Sequence, residues 1–117
     1  MLFADSNTNL QYIKRIAAEF VKKRNWTKYH NPKDLAISIA IEAGELLELF
    51  QWRTVDSINS KIKTDKSYLE RVKEELADVM IYCIHLANVL DIDVTQAIVS
   101  KLAKNEEKYP VNGKLEF

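Results

Sequence analysis

Residues 35–50 read LAISIAIEAGELLELF. From Leu35 to Ile41 the apolar side chains point to nearly every side of a helix, the pattern of an element buried on most sides. Glu42, Glu45 and Glu48 then interrupt the run at a spacing of three. A carboxylate taken out of water without a partner costs on the order of several kcal/mol. Any fold of this chain must therefore supply these acids with water, a counter-charge or a cation.

The rest of the chain reads as helix too. With two glycines and two prolines in 117 residues, there are few places to turn. Thr8-x-x-Gln11 has the form of a capping box ahead of Leu10, Ile13, Ile16, Ala17, Phe20 and Val21, which predicts a first helix over about 8–24. The aromatic-rich connection RNWTKYHNP follows. Asn31 as cap and Pro32 at the first helical position predict a second helix over 32–52. In the polar stretch 53–66, Val55, Ile58 and Ile62 mark a short helix. Ser67-x-x-Glu70 opens a third long helix carrying Leu69, Val72, Leu76, Val79, Met80, Cys83, Leu86, Ala87 and Leu90. Asp93-x-x-Gln96 caps a fourth, with Val94, Ala97, Ile98 and Leu102, that stops before Pro110. The tail VNGKLEF reads as loose. The expected fold class is all-α, a four-helix bundle in one domain with its core over about 8–110. A bundle this small does not surround one of its own helices, so the second helix predicts an oligomer that packs its copies together.

Charge narrows the partners. Lys plus Arg and Asp plus Glu both total 17, a zero balance that predicts neither nucleic-acid nor membrane binding. No apolar run approaches the ~20 residues of a membrane span, and no basic, then apolar leader opens the chain. The single Cys83 excludes an internal disulfide, reads as a packed, inert thiol, and fits a reducing cytoplasm.

The acids recur. Helical residues three apart lie ~60° apart around the axis, so Glu42 and Glu45 are neighbours, as are Glu45 and Glu48. Glu75 and Asp78 repeat the spacing on the third long helix, and Tyr82 falls between them in azimuth. Two ionised carboxylates ~5 Å apart repel by roughly 3 kcal/mol at an effective dielectric of about 20. Facing pairs must therefore keep protons or share cations. Hard oxygen donors suit Mg²⁺, Mn²⁺ or Ca²⁺ better than zinc. A di-iron bundle needs Glu-x-x-His motifs, and neither His30 nor His85 has a Glu three residues before it.

Each feature also has a bland reading. A lone ExxE is usually a solvated face, Glu48 has Arg53 as a candidate partner, and Glu74 reads as a surface acid. Trp26 can close the bundle end while His30 bonds the loop. His85 has no acid at metal spacing and reads as a packed or partly exposed histidine. Trp52 fits core, interface or base pocket alike. Lys101 and Asn105, one turn apart, suit a phosphate or sugar but also suit plain helix surface.

Together, RNWTKYHNPKDLAISIAIEAGELLELFQW, EELADVMIYCIHLA and VSKLAKNEEKYP resemble the all-α nucleoside triphosphate pyrophosphohydrolases of the MazG-like superfamily, in particular the short branch containing dCTP pyrophosphatase. The resemblance spans about residues 10–110. It implies Mg²⁺-dependent hydrolysis, with Mn²⁺ as substitute, of a (d)NTP to monophosphate and pyrophosphate. The first substrates it suggests are dCTP or a modified pyrimidine dNTP. It implies metal ligation by Glu42, Glu45, Glu75 and Asp78; general-base chemistry in turn makes Glu45, while it ligates metal, the candidate acceptor of a water's proton. It implies substrate contacts from Trp26, His30, Tyr82, Lys101 and Asn105, and a homodimer or homotetramer with composite sites. Two alternatives stand beside it: a broad-specificity house-cleaning hydrolase, and a non-catalytic helical module whose acids make salt bridges between subunits.

Overall fold

The computed structural model describes residues 2–111. Its elements are α1 (Leu10–Lys23), a 3-10 turn (Thr27–Tyr29), α2 (Pro32–Glu48), α3 (Val55–Thr64), α4 (Lys66–Leu90) and α5 (Val94–Lys108). The all-helical expectation holds, and the short helix at Val55 is a full element, so the described residues carry five α-helices. Most of the VNGKLEF tail, from residue 112, lies outside the described residues.

Each α-helix starts where a side-chain oxygen accepts an otherwise orphaned backbone N–H. Asn9 accepts from Tyr12 N (2.9 Å), Asn31 from Asp34 N (2.9 Å) and Asp93 from Gln96 N (2.9 Å). Thr54 does the same for Ser57 N (3.1 Å) and Asp65 for Tyr68 N (3.1 Å). Two expected caps thus move by one or two residues. Asn9 takes the place of Thr8, and Asp65 that of Ser67, because each already stands at the last non-helical position. Asp65 also closes α3, so two helices meet at one residue. The end of α2 falls at Glu48 rather than at 52, because the chain passes there into turns that lead to Trp52 in the left-handed region. Asp91, also left-handed at φ 54°, ends α4.

Helix α4 is the central element. Helix α2 lies along it, with α1 and α3 packed beside them. The buried apolar side chains are Val21, Leu35, Leu49, Tyr68, Ile84 and Ala87. Leu35 is 2 % exposed, and burying such a side chain contributes about 1.5–3 kcal/mol. The Tyr68 ring is equally buried, and its hydroxyl donates to the Leu49 carbonyl at 2.7 Å, tying the end of α2 to the start of α4.

The second helix is not enclosed by its own chain. Ile37, Ile41 and Leu47 are exposed along α2, and a Cβ added at Gly44 would meet nothing within 4 Å. Helix α5 packs least: Ile98, Val99 and Leu102 are all exposed. The radius of gyration is 17.4 Å, against about 13 Å for a compact chain of roughly this length. Among the described residues no helix is long and apolar enough to cross a membrane.

Candidate metal centre and its surroundings

Packing α2 against α4 brings the two acidic pairs together. One carboxylate oxygen each from Glu42, Glu75 and Asp78 lie within 4.8 Å of one another. Glu45, one turn beyond Glu42, is outside that trio, and its charge acts on both Glu42 and Glu75. Among the described residues no lysine, arginine or histidine forms an ion pair with any of the four. Glu48 is exposed and likewise unpaired among the described residues, so the expected alternative of an Arg53 partner is not realised.

The electrostatics follow from this placement. Glu42 Oε2 and Glu75 Oε2 are buried with no hydrogen-bond partner. Desolvation first, then the charges of neighbouring acids, hold both carboxyls above the ordinary carboxylate range. For Glu42 the neighbours are Glu45, Asp78 and Glu75; for Glu75 they are Glu45, Asp78 and Glu74. Orphaned hard oxygens without a counter-charge have the chemistry of a divalent-cation site, and this donor set fits such an ion.

Two turns along the same face of α4 lies a second polar cluster. The His85 ring stands 4.7 Å from that of His30 (centroid to centroid, near edge-on) and 5.8 Å from that of Tyr82. Burial lowers the pKa of both imidazoles, and His30 lowers that of His85 further. His30 and Tyr82 are therefore brought into one cluster through His85, a residue that its sequence context presents as simple packing. A signal is nonetheless present: His85 follows Asp78 by seven residues, two turns on the same helix face.

The other expected site residues fall elsewhere. Trp26 packs edge-on against Phe20 (5.9 Å), with Arg24 stacked on the Phe20 ring at 3.5 Å. Lys101 lines an apolar groove between α4 and α5 with Cys83, Leu86, Ala97, Ile98 and Leu102, and no acid lines that groove. Asn105 is half-buried one turn further along α5. Cys83, expected to be packed, is exposed on the same groove, because α5 does not close over α4. Trp52 is 93 % exposed in a left-handed conformation (φ 68°), which excludes a core role within this chain.

Known proteins resemble this chain in sequence and in fold. The sequence model of the MazG-like family matches residues 37–117. The chain is 38 % identical over 103 residues to dCTP pyrophosphatase 1 of Mus musculus and 37 % identical over 103 residues to that of Homo sapiens. Each match covers 88 % of this chain and 60 % of the relative, so the chain spans about three fifths of the length of these curated relatives. A pyrophosphatase from Archaeoglobus fulgidus DSM 4304, known from its crystal structure, superposes with a TM-score of 0.79 at 41 % identity. That match covers 92 % of this chain and 98 % of the other. With the family's sequence pattern running from α2 to the chain end and its acids gathered between α2 and α4, the chain belongs to the MazG-like family.

Proposed function

We propose that this chain is a Mg²⁺-dependent nucleoside triphosphate pyrophosphohydrolase, with Mn²⁺ as a substitute, converting a (d)NTP to its monophosphate and pyrophosphate. The observation that carries the reading is the meeting of Glu42, Glu75 and Asp78 around two orphaned carboxylate oxygens, with no cationic side chain among the described residues to neutralise them. The similarity to dCTP pyrophosphatases and to an archaeal pyrophosphatase supports the same reaction class and makes dCTP or a modified pyrimidine dNTP the first substrate to test.

Glu42, Glu45, Glu75 and Asp78 would hold the divalent ion. Such an ion, when bound, neutralises phosphate charge and lowers the pKa of water. Glu45, just outside the closest trio, would accept the proton of the attacking water while also ligating the ion. The water oxygen bonds to phosphorus, the phosphoanhydride P–O bond breaks, and pyrophosphate leaves with the electron pair. His30, Tyr82 and Trp26 would hold the base, and Lys101 and Asn105 the phosphates or sugar. The groove that holds Lys101 contains none of the acids of its own chain, and apolar residues of α2 and α5 are left uncovered. Both facts support a homodimer or homotetramer in which α5 of one copy completes the site of another.

The test is pyrophosphate release from a panel of dNTPs and modified pyrimidine dNTPs with Mg²⁺ or Mn²⁺. Release that disappears with chelator is expected. No release from any member of the panel would overturn the reading.

A further inference from the structure

We propose that Tyr68 is a positioning residue for the metal centre: its hydroxyl bond to the Leu49 carbonyl sets the register in which α2 and α4 present their acids. The inference rests on the metal-dependent pyrophosphohydrolase reading and deepens it.

Tyr68 stands seven residues before Glu75 on α4, and Leu49 stands seven residues after Glu42. Seven residues are about two helical turns, roughly 10 Å along the axis, and return to nearly the same face. Leu49 caps α2 with helical dihedrals (φ −67°, ψ −21°), so it continues the face that carries Glu42. Glu42 meets Glu75, and Leu49 meets Tyr68, so the two helices run in opposite directions along one seam. The acids and the Tyr68 bond are two layers of that seam, at matched distances along both helices.

The acid layer does not hold itself in place. Its charges repel, and no cationic side chain among the described residues bridges them. Apart from the acids themselves, Tyr68 supplies the only side-chain hydrogen bond from α4 to α2 or its cap among the described residues. Apolar contacts can slide by several tenths of an ångström at little cost, whereas a hydrogen bond fixes both distance and direction. The bond is also well protected. Tyr68 is 2 % exposed and Leu49 7 %, and no backbone N–H among the described residues reaches the Leu49 carbonyl in its stead. The Arg53 guanidinium and the Lys61 ammonium lie 5.4 Å and 5.1 Å from the Tyr68 ring centre. Both cations draw electron density from the phenol and make its O–H a stronger donor.

Two variants and one exchange measurement test the assignment. Tyr68→Phe removes the hydroxyl and keeps the buried ring. Mn²⁺ binding to the metal-free protein, read by electron paramagnetic resonance, is expected to weaken about fivefold, the range of one neutral hydrogen bond. Asn9→Ala is the control: it removes the cap of α1, which destabilises the chain away from the seam, and should leave Mn²⁺ affinity unchanged. Equal weakening in both variants, or none in Tyr68→Phe, would overturn the proposal. In the wild-type chain, Mg²⁺ should slow amide exchange at Gln51 and Arg53, in the turn after Leu49, because two layers of one seam are reciprocally linked. A turn that ignores Mg²⁺ also overturns it, even where Tyr68→Phe fails to fold. Pyrophosphate release keeps the two readings apart. Weakened Mn²⁺ binding in Tyr68→Phe of a chain that releases no pyrophosphate sinks the reaction and keeps the positioning role. Release with Mn²⁺ affinity untouched by Tyr68→Phe sinks the positioning role, and the absence of both sinks both.

Discussion

Helix α4 carries two polar clusters on one face, and they are built in opposite ways. At Glu75 and Asp78 it meets the acids of α2, where like charges and buried oxygens raise carboxyl pKa values. At Tyr82 and His85 it meets His30, where burial lowers imidazole pKa values. The first cluster is short of positive charge and of hydrogen-bond partners; the second packs three rings near edge-on. A rigid helix holds both at a set separation, which suits a ligand that is anionic at one end and a neutral ring at the other.

The largest expected effect separates chemistry from scaffold. Glu45→Gln should lower pyrophosphate release by about 100-fold or more, the range typical of a lost proton acceptor, with helical circular dichroism unchanged. A variant that stays active would remove Glu45 from the reaction.

Leu35 lies in sequence between His30 and Glu42 and is buried on α2. Leu35→Ala should cost about 2–5 kcal/mol in denaturant unfolding and should loosen both clusters, since both depend on the seam between α2 and α4. Equal stability of variant and wild type would show that the seam is held by other contacts.

The two clusters should also respond oppositely to pH. Glu42 and Glu75 have raised pKa values in the folded chain, so their contribution is present below the ordinary carboxylate pKa and is lost as pH rises through the raised one. The histidines have lowered values, so their contribution is present above the ordinary histidine pKa of about 6.5 and is lost as pH falls through the lowered one. Thermal melts in chelator should show both limbs, and Mg²⁺ should raise stability near neutral pH while leaving the acidic limb in place. A metal effect of equal size at acidic pH would break the distinction.

The smallest effect concerns the start of α2. Asn31→Ala removes the acceptor for Asp34 N and should cost about 1 kcal/mol, read as a lower melting temperature. A larger loss of dNTP affinity than of stability would show that the cap also steadies His30.

Much of this is legible without coordinates. Asn31-Pro32, the spacing of Glu42 with Glu45 and of Glu75 with Asp78, and the scarcity of glycine and proline are local signals, and local hydrogen bonding and helix periodicity act on them directly. Cap positions shift by one or two residues because several polar residues compete for the same role at Thr8-Asn9 and at Asp65-Ser67. His85 escapes a sequence reading because its partner His30 comes from a distant segment. Cys83 departs from its expected burial because an apolar helical pattern says which face wants burial and not whether α5 will cover it.

The sequence by itself determined the helices, most of their ends and the acidic pairs, since each depends on residues within about one turn of each other. Only the tertiary structure decided that the pairs face each other, that His30 meets His85, and that α2 and α5 keep apolar faces uncovered. Those outcomes depend on how whole helices pack, and packing is set by side-chain shape summed over many residues distant in the chain.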